Sequence, residues 1–176
     1  MYSCKCIYLT KDGKRWSYTS TKTSPIYAYK EYDEKHNFIG WRIYFPYEEK
    51  GKKWINNSDY TIIQGIKGLN SNRDLIILTK SRKDCLVYKK LGFNAIAPPS
   101  ENGKLSEGIV KLLKEFNRVV INFDNDEAGI NAAQKIKNVY GWDTIYMDEY
   151  KDVSDYIEVY NIEETKNMIC GKLKRK

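Results

Sequence analysis

The sequence has few of the residues on which several kinds of catalytic and structural site depend. Its 176 residues contain a single histidine, His36, and only four cysteines, at positions 4, 6, 85 and 170. A lone histidine in a predicted polar turn argues against a histidine pair or a Ser-His-Asp triad. Cysteines this few and scattered argue against a disulfide framework and for a reducing, intracellular setting. Only Cys4 and Cys6 are close in sequence, whereas a zinc ribbon needs two close pairs of ligands, so we expect no zinc.

Long apolar runs and a Walker-type phosphate loop are also missing. No run approaches the roughly 20 apolar residues that cross a bilayer, and no Gly-x-x-x-x-Gly-Lys-Ser/Thr motif occurs. We therefore expect a cytoplasmic protein with no membrane partner and no helicase motor of its own. With histidine and cysteine chemistry disfavoured, any catalysis must depend on carboxylates and lysines.

Positive charge is concentrated in the first half of the chain. Residues 1–90 contain 18 Lys and Arg against 9 Asp and Glu, whereas residues 91–176 contain 12 against 14. Because lysines neutralise phosphates, the first half predicts a nucleic-acid partner. Clustered acids in the second half predict a divalent cation. The alternative is that a lysine-rich protein has a solvated basic surface with no such partner.

The first third of the chain predicts a small antiparallel β-rich unit. Alternating aromatic and polar residues over 26–32 and 39–45 flank a polar turn, as in a hairpin. A further strand pair is predicted at 53–55 and 61–63. The polar segment 70–73 is typical of a linker, which gives a basic β-rich subdomain over 1–70 and a second domain over 71–176.

Beyond residue 70, short apolar runs alternate with amphipathic helices, the pattern of βαβ units. This predicts an α/β fold with a parallel sheet of about four strands and helices on both faces. The apolar face of the third helix is predicted to consist of Ala128, Ala132, Ala133, Ile136 and Val139. The predicted strands are 75–78, 94–97, 118–123 and 144–147, and the predicted helices are 82–90, 105–116, 127–140, 153–160 and 162–170.

Acidic residues follow the third and fourth predicted strands, where parallel sheets bind ligands. Asp124 and Asp126 come directly after the third strand and can both face one divalent cation, for which Mg²⁺ is suited. Asp152 follows the fourth strand and could complete a metal cluster, with Lys151 in contact with a phosphate. The alternative is that these residues cap the helices that begin here, with Asp126 or Asn125 at one start and Asp152 or Ser154 at the other.

Four segments, taken in order, resemble the Toprim domain. They are residues 75–84, ending Lys80-Ser81-Arg82-Lys83-Asp84, then 92–97, then Asp124-Asn125-Asp126-Glu127-Ala128-Gly129, and then Lys151-Asp152-Val153-Ser154-Asp155. Toprim domains are shared by DNA primases, type IA and type II topoisomerases and some nucleases. The sequence is most similar to phage primases and primase-helicases. Residues 27–57, with their aromatic strands, also resemble the small domain that precedes Toprim in those primases.

The resemblance implies Mg²⁺-dependent synthesis of short RNA primers on a single-stranded DNA template, with Mn²⁺ as a substitute ion. The metal would bind nucleoside triphosphates and promote attack of a 3′-hydroxyl on the α-phosphate. A replicative helicase or a separate zinc-ribbon protein would be a partner, with the host-cell cytoplasm as location if the chain is phage-encoded. The implied metal ligands are Asp124, Asp126, Asp152 and Asp155, and the implied phosphate or nucleic-acid contacts are Arg82, Lys83, Lys151, Lys52 and Lys53.

One position departs from the family pattern. The first Toprim strand normally ends in a glutamate four residues before an aspartate, but here Lys80 precedes Asp84. A Thr-Lys-Ser loop resembles a variant found in a phage-type branch of primase-like proteins. Lysine can bind a phosphate or exchange a proton, but it cannot ligate Mg²⁺ while charged. Glu101 could supply the missing carboxylate, so the predicted catalytic set is Lys80, Asp84, Glu101, Asp124 and Asp126.

Two further functions stay open at this point. A Toprim nuclease of the overcoming-lysogenization or ribonuclease-M5 kind would use the same acids to break phosphodiesters. A non-catalytic single-stranded nucleic-acid-binding or replisome module would fit the loss of the glutamate. Aromatic side chains of the first third could stack on bases, or could instead be core: Trp16, Trp41, Trp54 and Tyr29.

Overall fold

The computed structural model describes residues 1–11, 13–49, 51–57, 62–99 and 105–174. The chain divides into two compact units, residues 1–62 and residues 63–176. Within the described residues, no helix combines the length and the hydropathy that crossing a bilayer requires.

The first unit contains a four-stranded antiparallel sheet in the order β1-β4-β5-β6. Its strands are β1 (Tyr2–Cys4), β4 (Ile26–Tyr32), β5 (Phe38–Tyr44) and β6 (Trp54–Asn56). The predicted hairpin is confirmed, because β4 pairs antiparallel with β5. Its turn is held by Asp33, whose carboxylate accepts hydrogen bonds from the backbone N–H groups of Lys35 and Asn37.

A second hairpin in this unit was not predicted. Strands β2 (Cys6–Lys11) and β3 (Lys14–Thr19) form a separate two-stranded sheet, and Gly13 in its turn has φ +74°. The sequence carries a signal for this turn, since Asp-Gly between two β-prone runs is typical of two-residue hairpin loops. The register pairs Leu9 with Trp16 and Ile7 with Tyr18.

The strand pair predicted at 53–55 and 61–63 is half right. Trp54–Asn56 forms β6, but Ile62 and Ile63 are buried without belonging to a strand, and Thr61 lies outside the described residues. Gln64 instead makes an isolated bridge to Ala97, with backbone hydrogen bonds of 3.0 Å in both directions. Ile62 and Ile63 therefore belong to the core, and the prediction of a strand at these residues is wrong.

The second unit is built on a parallel sheet in the order β10-β9-β7-β8. Its strands are β7 (Leu75–Thr79), β8 (Asn94–Ile96), β9 (Arg118–Asn122) and β10 (Asp143–Thr144), and every neighbouring pair is parallel. The predicted fold class, an α/β parallel sheet preceded by antiparallel strands, is confirmed. Its helices are α1 (Arg82–Leu91), α2 (Glu107–Leu113), α3 (Glu127–Tyr140), α4 (Val153–Val159) and α5 (Ile162–Lys174).

The sheet is covered on both faces, as the crossovers require. The step from β7 to β8 runs in one direction along the sheet, and the steps to β9 and β10 run in the other, so right-handed crossovers place α1 opposite α2 and α3. On the α1 face, side chains from the sheet, α1, α4 and α5 form one apolar cluster that includes Ile77, Tyr88, Val120, Val153 and Ile169.

Three sequence predictions about this unit need correction. Helix α2 is shorter than 105–116, because the Ser106 side chain caps its start. The fourth strand covers 143–144 rather than 144–147, since the ladder ends after Ile145 N–H bonds to Ile121. The buried face of α3 consists of Gly129, Ala133 and Ile136, while Ala128 and Val139 are exposed.

Candidate active site

Polar side chains collect at the carboxyl edge of the parallel sheet. Thr79 ends β7 and is followed by Lys80, while Asn122 ends β9 and is followed by Phe123 and Asp124. Because β7 and β9 are parallel neighbours, Lys80 and Asp124 leave the sheet at the same edge. The segment after β10 returns to this edge, where the N–H of Asn125 donates to the carbonyl of Lys151 over 2.6 Å.

Asp124 is a buried carboxylate of this edge and is paired with two lysines. Its side chain is 4% exposed, and its Oδ2 lies 2.6 Å from Lys80 Nζ and 3.3 Å from Lys151 Nζ. A buried carboxylate must be compensated by a partner of opposite charge. The hydrogen bond to Asp124, followed by its charge, raises the pKa of Lys151.

Asp126 divides its two oxygens between a helix and a cation. Oδ1 accepts the N–H of Gly129 and so caps α3, while Oδ2 lies 3.4 Å from Lys151 Nζ. The Gly129 hydrogen bond is the main cause that lowers the pKa of Asp126, so this carboxylate is ionised at neutral pH. The capping role and the cation-facing role are thus both present in one side chain.

Gly129 is needed because α3 starts against the backbone of Asp124. A Cβ at position 129 would lie 2.3 Å from the Asp124 carbonyl oxygen and 3.0 Å from its backbone nitrogen. The acidic segment and its glycine are therefore one packing unit, in which the absent side chain lets the helix approach the strand end.

Asp152 and Asp155 belong to a second group of charges, around Lys83. Asp152 caps α4, since its Oδ1 accepts the N–H groups of Ser154 and Asp155. Lys83 Nζ lies 3.7 Å from Asp152 Oδ2 and 3.6 Å from Asp155 Oδ1. Burial alone would lower the pKa of Lys83, but the charges of Asp152 and Asp155 raise it overall.

Asp84 lies at the start of α1 with both carboxylate oxygens occupied. Ser81 Oγ donates to Oδ2 and Ser154 Oγ donates to Oδ1, each over 2.7 Å, which ties α1 to α4. Burial, assisted by the charge of Asp152, raises the pKa of Asp84 to about 6. The contacts of these two serines with Asp84 were not predicted, although Ser-x-x-Asp at the start of a helix is a known capping signal.

Comparison with known proteins identifies the second unit. The family model described as Toprim-like matches residues 77–157, which contain the end of β7, Lys80, Asp124, Asp126 and Asp152. Residues 77–157 are therefore similar to Toprim-like domains. The sequence of the chain matches none of the curated proteins compared with it.

Solved primase structures share the fold of the chain beyond the Toprim-like domain. A DNA primase domain from Pseudomonas aeruginosa has 18% identity, a TM-score of 0.66, and covers 96% of this chain. The primase fragment of the bacteriophage T7 primase-helicase has 13% identity, a TM-score of 0.61, and covers 85%. A DnaG primase catalytic domain bound to single-stranded DNA has 15% identity, a TM-score of 0.63, and covers 92%. The chain spans 56%, 64% and 57% of those three structures, respectively.

Asp124 and Asp126 face one cationic position, as a shared divalent ion would require. Asp124 and Asp126 both direct an oxygen at the Lys151 ammonium, so the two carboxylates already converge on one cationic position. Lys151 is 54% exposed and can move away, whereas Asp152 and Asp155 are engaged by Lys83. Within the described residues, no three His, Cys, Asp or Glu side chains are grouped to hold a metal.

The remaining predicted site residues are spread over both units. Arg82 is half-buried in the first turn of α1, Lys52 is exposed and pairs with Glu49 over 2.9 Å, and Lys53 is half-buried. Glu101 lies outside the described residues, so its contribution stays a prediction.

The aromatic candidates of the first unit differ in exposure. Trp16 is 39% exposed, Trp54 is exposed and stacks on Tyr44, and Trp41 is half-buried. Tyr29 is only 8% exposed and belongs to the core, so the structural reading is the correct one for this residue. Trp16 and Trp41 line one cavity of about 590 Å³ between the β2–β3 hairpin and the four-stranded sheet.

Proposed function

We propose that this chain is the catalytic part of a DNA primase-like protein that makes short RNA primers on single-stranded DNA with Mg²⁺. One observation supports this function over a Toprim nuclease: the resemblance to primase cores extends over both units and not only over the Toprim-like domain. The T7 match is part of a primase-helicase, which favours a replicative helicase as a partner. This role requires a cytoplasmic location.

Asp124 and Asp126 are the acids best placed to hold the ion. When bound, Mg²⁺ would neutralise triphosphate charge and favour ionisation of the attacking 3′-hydroxyl. The chain itself buries Asp124 just beyond the end of β9 and keeps Asp126 ionised through the Gly129 N–H. Lys151 bridges both carboxylates and, once displaced from them, carries its charge to the rim of the site, where nucleotide phosphates would arrive.

The template would be held by charge and by stacking. Residues 1–90 carry twice as many Lys and Arg as Asp and Glu, and lysines at a surface attract the phosphate backbone. In the first unit, Trp16 is 39% exposed, and stacking of bases on an aromatic side chain tolerates any sequence. The match to a primase domain bound to single-stranded DNA supports this substrate.

A denaturing gel tests the function directly. The protein is incubated with single-stranded DNA, labelled ribonucleotides and Mg²⁺ or Mn²⁺, beside the double variant Asp124→Ala/Asp126→Ala. The matched control is Glu163→Ala/Glu164→Ala, which removes two exposed acids from the first turn of α5. We expect short RNA products from the wild type and from this control, and at least a hundredfold less from the first double variant.

Each other result points to a different function. Shortened template that depends on Asp124 and Asp126 would identify a nuclease. No product, combined with retained binding of single-stranded DNA, would identify a binding module, which is the reading that the Lys80 substitution favours.

A further inference from the structure

The cations at Asp124 are of two kinds. Lys80 extends directly from the end of β7, is 23% exposed, and lies 2.6 Å from the Asp124 carboxylate. Lys151 comes from a loop, is 54% exposed, and lies at longer distances from two carboxylates. Lys80 is therefore a fixed part of the site, and Lys151 is a displaceable one.

A fixed ammonium changes how many ions the site can accept. Lys80 stands where the Toprim resemblance implies a glutamate, so the position has changed from a negative charge to a positive one. An ammonium offers no lone pair to a metal while it is charged, and it repels a second dication placed at the same carboxylate. Lys80 already neutralises Asp124, the more buried of the two acids.

We propose that Lys80 is a built-in cation that takes the place of one divalent ion at Asp124, so that the site binds a single divalent ion between Asp124 and Asp126. This inference rests on the proposed function for the identity of the ion. It deepens that function, because a nucleotide would be held by one dication and one protein-borne charge. Lys80 is in this view a positioning and charge-compensating residue.

Direct binding of Mn²⁺ tests the inference without any activity. Mn²⁺ is titrated into the protein and the free ion is followed by its electron paramagnetic resonance signal, for the wild type, Lys80→Met and Lys80→Glu. We expect Lys80→Met to bind Mn²⁺ at least tenfold more tightly, which corresponds to about 1.4 kcal/mol. We expect Lys80→Glu to bind one more Mn²⁺ per chain than the wild type.

Two controls separate a local effect from a general one. Lys90→Met removes the same charge from the exposed end of α1 and should leave Mn²⁺ binding unchanged. Lys151→Met should tighten binding without adding an ion, since Lys151 occupies the position that the ion would take.

The inference is overturned if Lys80→Met, with the wild-type circular dichroism spectrum, binds Mn²⁺ no more tightly than the wild type. If Lys80→Glu does not fold because of repulsion from Asp124, Lys80→Met alone decides. Failure of primer synthesis would leave a positive Mn²⁺ result standing, and failure of the Mn²⁺ test would leave primer synthesis untouched, so the two proposals can fail separately.

Discussion

Asp84 shows how one side chain can stabilise the arrangement of two helices and still reduce stability at neutral pH. Its carboxylate is buried and receives two serine hydroxyls, one from the start of α1 and one from α4. Burial raises the pKa of Asp84 from 3.8 to about 6. Between these two pH values the folded state binds more protons than the unfolded state, so the free energy of unfolding falls as pH rises through this range.

Replacing Asp84 with asparagine should remove this pH dependence. In the wild type, we expect Asp84 to lower the free energy of unfolding by at most about 3 kcal/mol between pH 4 and pH 6.5, with no further change above that range. Asp84→Asn cannot ionise, so its stability relative to the wild type should increase over the same interval. Urea denaturation of both proteins at a series of pH values measures the difference.

Asp126→Asn serves as the comparison for this experiment. The pKa of Asp126 is lowered in the folded state. Ionisation of Asp126 therefore increases the free energy of unfolding as pH rises, which is opposite in sign to the effect of Asp84. A difference between wild type and Asp84→Asn that stays constant from pH 4 to pH 6.5 would show that Asp84 is already ionised at pH 4.

At the level of elements, the start of α3 is fixed by its contact with the end of β9. Gly129 faces the Asp124 backbone, and Asp126 caps the same turn. The position of the Asp124 carboxylate therefore depends on the packing of a helix as well as on the strand that precedes it.

Gly129→Ala should disrupt this contact. The added Cβ would lie 2.3 Å from the Asp124 carbonyl oxygen, which forces the helix or the strand end to move. We expect a loss of about 2 kcal/mol in the free energy of unfolding, together with lower primer synthesis. Chemical denaturation and the primer gel measure the two effects.

Gly171→Ala is the matched control, because Gly171 lies in α5 with nothing within 4 Å of an added Cβ. There the replacement should raise stability by about 0.5–1 kcal/mol through helix propensity alone. Equal effects of the two substitutions would contradict the role given to Gly129.

The elements also show what the sequence could and could not predict. The sequence pattern predicted both ends of α3 correctly and the bounds of β7 to within one residue. Long amphipathic or apolar patterns are the strongest local signals of secondary structure. The paired acids after β9 were predicted as site residues from their place beyond a buried strand. The β2–β3 hairpin was not predicted. Strand β3 is exposed along its whole length, so no buried face distinguishes it from a loop.

The lysine pairing of the acids could not be predicted, for a physical reason. Which ammonium meets which carboxylate depends on the order of the strands in the sheet, β10-β9-β7-β8, and this order places β7 beside β9. Lys80 and Asp124 are 44 residues apart in sequence. Their contact follows from non-local strand pairing, which periodicity does not encode.

For the whole molecule, net positive charge is shared by both units. Residues 1–62 contain 11 Lys and Arg against 7 Asp and Glu, and residues 63–176 contain 19 against 16. A single-stranded nucleic acid would therefore be attracted to the molecule as a whole, and its attraction would weaken as salt screens the phosphates.

Binding of single-stranded DNA should accordingly depend on salt and, separately, on Trp16. We expect the logarithm of affinity to fall linearly with the logarithm of salt concentration, by about 0.7 for each neutralised phosphate. Trp16→Ala should weaken binding by about 1–3 kcal/mol at every salt concentration, because stacking carries no charge. Fluorescence anisotropy of a labelled oligonucleotide measures both.

Tyr47→Ala removes another exposed aromatic side chain of the same unit, one that does not line the Trp16 cavity. This variant should leave both the affinity and its dependence on salt unchanged. Affinity that does not respond to salt would contradict a phosphate-binding surface. If the affinities of Trp16→Ala and of the wild type became equal at high salt, stacking would be contradicted.

The capping of α3 by Asp126 restricts which residues evolution can place there. One oxygen caps the first turn of the helix, and the other faces the Lys151 ammonium. Asparagine would preserve the cap and lose the charge, whereas glutamate would preserve the charge on a longer side chain that caps poorly. Only aspartate meets both requirements, so a lineage that no longer needed the cation could drift to asparagine at this position while its fold stayed intact.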